Sequence, residues 1–333
     1  MRFKRLRAIL LPLLLTLPLS VLAGPFSSLV IFGDSLSDTG NLINSGVTRP
    51  FPFSGPYDGG RFSNGPLWIE GVAAGLGLAG QAATYTSGGN NYAYAGSQTG
   101  AMPPAQQDQI PGLLVQSQSI WGSSHLAADP NALYVVVAGG NDMRAARSLF
   151  GSSSIEDEAN REAAAEDAIA NLKLTINYLA GRGARNFLVA SVPDLGYTSE
   201  AILLGLSAAS SDATDKFNAL MPSVVDFGTG LGLSMNFLDL AALNDDILTN
   251  PAKYGVTNTT SPCAGFLDPL NNGIGTTSCD TSLFSDILHP SAYTHSLIAQ
   301  AALDVLGVPE PATLVLMGVG LLGLVTSRRR KPV

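Results

Sequence analysis

The sequence predicts a three-layer α/β/α domain on a mainly parallel central sheet, and three observations predict it. Short apolar runs recur at Leu29–Phe32, Leu133–Ala138 and Asn186–Val192, with the length and character of strands covered on both faces. Helical stretches separate them, so the order β-α-β-α-β calls for crossover connections, parallel strands and helices on both faces. Each run also leaves through Gly or Pro into polar residues: Gly33-Asp34-Ser35, Gly139-Gly140-Asn141-Asp142 and Pro193-Asp194. Ligands bind at the carboxyl ends of strands in such sheets.

In chain order, residues 1–23 read as a secretory signal. Arg2, Lys4, Arg5 and Arg7 precede an apolar stretch from Ala8 to Leu22, and Val21 and Ala23 suit a cleavage before Gly24. The other reading of this stretch is an uncleaved anchor. Residues 44–60, rich in Pro, Gly and Phe, are loop. Ser63 or Asn64 is expected to cap a helix starting near Pro66, with Arg61 tying down the loop before it. A helix broken by Pro111 is expected over Gln107–Trp121. Ile155–Ala180 is a long helix whose acids Glu156, Asp157 and Glu158 favour the helix dipole. Residues 199–232 hold one or two helices, Met235–Leu238 is a fourth strand, and residues 250–281 are loop-rich. A last helix spans Ser291–Leu306. Residues 24–307 carry no internal repeat or linker and read as one domain.

Residues 308–333 form a tail. Val308-Pro309-Glu310-Pro311 leads into an apolar run, Ala312–Thr326, and then Arg328-Arg329-Arg330-Lys331. The run is short against the roughly 20 residues that span a bilayer, and its cations would stay on the cytoplasmic side. The pattern resembles the PEP-CTERM sorting tail, in which a membrane protease of the exosortase type removes a transient anchor. A permanent C-terminal anchor is the plain alternative.

The formal charge is −8, from 18 cations and 26 acids. Met1–Arg7 and Arg328–Lys331 carry eight of those cations and no acid, so the chain between them has 10 cations against all 26 acids, about −16. A body that acidic repels phosphate backbones, which excludes nucleic acid as a partner. Two cysteines, Cys263 and Cys279, in an exported chain predict a disulfide. They have no His or acidic cluster beside them, so no metal site is expected.

The chemistry is concentrated in a few short blocks. Ser35 follows a strand in Val30-Ile31-Phe32-Gly33-Asp34-Ser35-Leu36-Ser37-Asp38-Thr39-Gly40-Asn41. Asn141 ends a second strand, where a side-chain amide can donate to an oxyanion. Of three histidines, only His289 has an acid three residues before it, Asp286, close enough for one turn to bring carboxylate to imidazole. His125 and His295 read as surface or satisfied structural residues. No Gly-x-Ser-x-Gly elbow occurs, which argues against an ordinary α/β-hydrolase.

Gly-Asp-Ser-Leu, Gly-Arg-Phe-Ser-Asn-Gly at 60–65, Asn91-Tyr92-Ala93-Tyr94-Ala95-Gly96, Gly-Gly-Asn-Asp and Asp-x-x-His-Pro occur in that order. Together they resemble the blocks of the GDSL-type esterase/lipase family, the SGNH hydrolases, over residues 27–306. The resemblance implies a flavodoxin-like fold and hydrolysis of carboxylic esters with no cofactor or metal. It implies Ser35 as nucleophile, His289 as general base and acid, and Asp286 as its orienter. The oxyanion hole would comprise the Ser35 and Gly96 N–H groups and the Asn141 side chain. Substrates within the family range over lipids, short acyl esters and acetylated polysaccharides. A non-catalytic matrix-binding protein on the same scaffold is the competing class.

Overall fold

The computed structural model describes residues 24–46, 57–101, 110–147 and 155–308. Four parallel strands form the central sheet: β1 (Leu29–Gly33), β2 (Leu133–Val137), β3 (Asn186–Ala190) and β4 (Ser234–Leu238), paired in that order. Leu29 stands opposite Leu133, Leu133 opposite Asn186, and Asn186 opposite Ser234. The order of the sheet extends past β1. Ile31 N–H donates to Asn90 O at 3.0 Å, Tyr92 N–H to Ile31 O at 2.8 Å and Tyr94 N–H to Gly33 O at 3.2 Å. Residues 91–94 therefore run beside β1 on its free edge. Counted with them, the order is 2-1-3-4-5, the flavodoxin-like arrangement, and the switch point lies over the ends of β1 and β2.

Side chains alternate between two apolar layers because successive strand residues face opposite ways. Val30, Phe32, Tyr134, Val136, Phe187 and Val189 pack on one side. The helices there are α3 (Ile155–Gly181), α4 (Ser207–Leu220) and α5 (Pro222–Gly230). Leu29, Ile31, Leu133, Val135 and Leu188 pack on the other, against α1 (Trp68–Gly75), α6 (Leu240–Thr249) and α7 (Ala292–Val305). With both faces covered, β1 and β2 have no exposed residue and show no polar alternation. Each fully buried Leu, Ile or Phe contributes about 1.5–3 kcal/mol. The edge strand β4 is only partly covered, which is why Ser234 and Asn236 are tolerated there.

Helices α1 and α7 run side by side from the carboxyl pole of the sheet to the amino pole. A Cβ on Gly65, Gly71 or Gly75 would come within 3 Å of Ala292, Ala299 or Leu303, respectively. The glycines let the two backbones approach closely.

Several expectations are corrected. In the stretch 107–121 the chain is non-helical at 110–112, around Pro111 where a break was expected, and the helix that follows from Leu113 is π-helical rather than α-helical from Val115 to Trp121; residues 107–109 lie outside the described part. Residues 199–232 make three helices, because Gly205 at φ 67 and Pro222 at a helix start each interrupt the run. The stretch 250–281 is less irregular than its composition suggests, since β5 (Asn258–Pro262) pairs in parallel with β6 (Ser282–Phe284). Cys263 and Cys279 are bonded across it, with Cα atoms 4.9 Å apart. Ser63 and Asn64 do not cap α1, which starts at Trp68 with Glu70 accepting from Leu67 N–H at 2.9 Å. Val308 still packs on the apolar layer of α7, so the fold runs through that residue. Residues 1–23 and 309–333, where the signal and tail were read, lie outside the described part. No described helix is long and apolar enough to cross a membrane.

Candidate active site

The polar turns after β1 and β2 and the segment before α7 meet over the carboxyl ends of the strands. Ser35 Oγ lies 3.1 Å from His289 Nε2, and His289 Nδ1 lies 2.7 Å from Asp286 Oδ2. Asp286 does not sit on a helical turn. Ser285 N–H and Oγ both bond His289 O, at 2.9 and 3.1 Å, and close a tight loop that folds the carboxylate back onto the ring. Asp286 Oδ1 also accepts from Leu288 N–H at 2.7 Å and His289 N–H at 2.6 Å. Burial alone would raise its pKa, but the charge of His289 and these hydrogen bonds more than offset that and hold it below the usual carboxylate range.

Asn141 opens α2 (Gly140–Ala146), and its Nδ2 donates to Ser97 O at 2.9 Å, which leaves its second amide hydrogen. Gly139 before it has φ 128, and the Phe217 ring fills the place of a side chain, 2.5 Å from an ideal Cβ. Only glycine fits there. Gly96 has φ 83 in a tight turn closed by Ser97 N–H on Tyr94 O. Among the described residues, nothing accepts from the Gly96 or Ser35 N–H. Gly96 does not line the cleft described below, whereas Ser35, Asn141 and His289 do.

Much of what holds these groups was not legible from the motifs. Tyr57 OH donates to Asp286 Oδ2 at 2.6 Å from 229 residues away. Its phenol pKa is raised by burial and then by the Asp286 charge. The Gly-Arg-Phe-Ser-Asn-Gly block braces the histidine segment. Phe62 packs on the His289 ring at 5.1 Å, Ser63 Oγ donates to Pro290 O, and Asn64 Oδ1 accepts from Ala292 N–H. Arg61 is structural, as expected, forked onto Glu70 at 2.7 and 2.8 Å.

Three polar side chains, Asp38 and Gln116 fully buried and Asp142 partly so, tie the loop at residues 95–99 to the turns after β1 and β2. Asp38 accepts from Ala95 N–H at 2.8 Å, and Asp142 accepts from Thr99 N–H and Oγ1. Gln116 spans from Gly33 to Ser97 Oγ. Burial pushes Asp34 and Asp142 up to about 6, because little solvent remains to stabilise their charge.

A cleft of about 820 Å³, open to solvent, starts at Ser35, Asn141 and His289. Its wall is mainly apolar, with Val192, Leu195, Leu243, Ile247, Phe284 and Ile298 among its residues. Arg144 reaches the wall from α2 and is forked onto buried Glu200, which also pairs with Arg147. His125 stacks on Trp121 and bonds its carbonyl, a structural role. His295 is a correction. It is not exposed, and among the described residues nothing hydrogen-bonds either of its buried ring nitrogens, while burial drives its pKa down to about 3. Among the described residues, no group of three His, Cys, Asp or Glu side chains could hold a metal ion.

A parallel α/β/α sheet with serine, histidine and asparagine gathered over its strand ends defines the class as a three-layer α/β/α esterase fold. More particularly, the chain belongs to the GDSL-like lipase/acylhydrolase family, whose model matches residues 29–302, and it is a carboxylic ester hydrolase. A PEP-CTERM protein-sorting motif matches residues 307–331 and indicates export and sorting to the cell envelope. The chain is 28% identical over 312 residues to a GDSL esterase/lipase of Arabidopsis thaliana, covering 81% of this chain and 85% of that protein. It is 26% identical over 298 residues to a phosphatidylcholine-sterol acyltransferase of Aeromonas hydrophila, covering 87% and 82%. A solved carbohydrate acetylesterase from Sinorhizobium meliloti superposes with a TM-score of 0.46 at 16% identity, covering 84% of this chain and 98% of that one.

Proposed function

We propose that the protein is an exported serine esterase that cleaves acyl or lipid esters through Ser35, His289 and Asp286. The observation that carries this reading is the hydrogen-bonded relay from Ser35 Oγ to His289 to Asp286 at the head of an apolar cleft. Neutral His289, its Nδ1–H donated to Asp286, takes the Ser35 proton on Nε2 as Oγ bonds to the ester carbonyl carbon. The resulting oxyanion is met by the Ser35 and Gly96 N–H groups and the free Asn141 amide hydrogen. The ester C–O bond then breaks, and the leaving alkoxide takes the proton from Nε2. Water attacks the acyl-enzyme with its proton passing to His289 Nε2. When the carboxylic acid leaves, Ser35 recovers that proton.

An acyl chain suits the cleft better than an acetyl group, because burying each CH₂ contributes about 0.8 kcal/mol and a wall this apolar offers an acetyl group little to bind. The test is hydrolysis of p-nitrophenyl esters from acetate to decanoate by residues 24–308, beside Ser35→Ala. The substitution should lower kcat/KM by about 10⁴-fold or more, and the wild-type value should rise with chain length beyond acetate. Activity that survives the substitution would remove the nucleophile. A maximum at acetate would favour polysaccharide deacetylation.

A further inference from the structure

The fold begins and ends at one pole, and the cleft opens at the other. Gly24 is packed so tightly on the end of α1 that a Cβ there would lie 2.5 Å from Leu76 O. Val308 N–H bonds Leu303 O at 3.0 Å, a Cβ on Gly75 at the end of α1 would lie 2.6 Å from the Leu303 side chain, and Phe26, Leu306 and Val308 each pack on the apolar layer of α1 and α7. From this pole β1 runs five residues, ~16 Å, to Gly33, and Ser35 follows two residues later. In the opposite direction, α7 starts beside His289, with Thr294 and Ile298 in the cleft wall. It runs 14 residues, ~21 Å, to Val305. The length of α7 therefore separates the reacting groups from the point where the chain leaves the domain.

Only Pro309, Glu310 and Pro311 lie between Val308 and the apolar run at Ala312. Three residues reach at most ~11 Å even when fully extended. The run to Thr326 is already short for a bilayer, so it has no residues to give up to a longer tether. Turning the cleft toward the membrane would require the tether to pass the height of the domain, about twice its reach.

We propose that, while the tail anchors the protein, the active cleft is held turned away from that membrane. The anchored enzyme then acts on esters presented from the outer side, and the lipids of its own bilayer come within reach only after release from the tail. This inference rests on Ser35 as nucleophile and on residues 312–326 as the membrane segment.

The experiment places the full chain in phosphatidylcholine vesicles whose headgroups carry an acceptor dye, with Ser35 labelled by a fluorophosphonate donor. Energy transfer should be weak. It should rise strongly when a 30-residue Gly/Ser stretch, with a mean reach of ~30 Å, is inserted between Val308 and Pro309. Turnover of p-nitrophenyl butyrate per outward-facing site should match that of the full chain in detergent. Strong transfer from the native chain, equal to that of the long-linker form, would overturn the proposal, as would loss of soluble-ester turnover on reconstitution. A vesicle-bound chain that takes no label would instead remove the Ser35 reading. A labelled chain that fails to float with the vesicles would remove the anchor.

Discussion

Asp286 shows how the site depends on single hydrogen bonds. Its Oδ2 serves both His289 Nδ1 and the Tyr57 phenol. In Tyr57→Phe the carboxylate loses a donor that holds it against the ring, so kcat/KM for p-nitrophenyl butyrate should fall. Stability should fall by about 1.5–3 kcal/mol for the lost bond to a charged group. An esterase assay and a denaturant titration check both, and an unchanged kcat/KM would mean that Tyr57 does not steady the relay. His295 gives the opposite kind of dependence. Its folded pKa of about 3 lies below the ordinary 6.5, so the unfolded chain binds the extra proton between those values. The protein therefore loses stability as pH falls through that window, by up to ~1.4 kcal/mol per pH unit. His295→Leu removes this loss and two unpaired nitrogens. Its Tm advantage over wild type should widen from pH 7 to pH 5, and a constant gap would show that His295 titrates normally.

At the scale of elements, the contact of α1 with α7 is the joint that carries the histidine segment. Gly71 sits within a helix, where alanine would ordinarily be better by about 1 kcal/mol. Its Cβ, however, would lie 2.7 Å from Ala299 Cβ. Gly71→Ala should therefore lower stability by about 1–3 kcal/mol through overpacking. Adding Ala299→Gly should return most of it. Thermal melts of the single and double variants decide this, and a stabilised single variant would show that the helices move apart freely. The same joint explains why Ser63 and Asn64 look like helix caps in sequence and act otherwise. Their polar groups are taken by Pro290 O and Ala292 N–H across the joint.

For the whole molecule, the Cys263–Cys279 bond closes 16 residues of chain between β5 and β6. Cys263 N–H also bonds Ser285 O at 3.1 Å, next to Asp286, so the closed loop is continuous with the site. The chain-entropy model gives about 3 kcal/mol for a loop of this size. Replacing both cysteines by alanine should lower the unfolding free energy by about that amount in a denaturant titration. Linked peptides in mass spectra of unreduced protein check the bond itself, and free thiols in exported material would refute it.

Elements specified by local pattern were legible in the sequence. The strands at Leu29, Leu133, Asn186 and Met235, the helix from Ile155 and the glycine turns follow from apolar periodicity and from residues that break it. The blocks around Ser35, Asn141 and His289 were legible because strand ends expose polar turns and each block is short. Only the tertiary structure decided what braces them. Tyr57, Gln116, Asp38 and Asp142 act across tens to hundreds of residues, and a lone polar residue in a loop carries no sign of its distant partner. The same holds for the unpaired burial of His295 and for the separation between the chain's exit and the cleft. Those are set by how the layers stack in space, which no local pattern encodes.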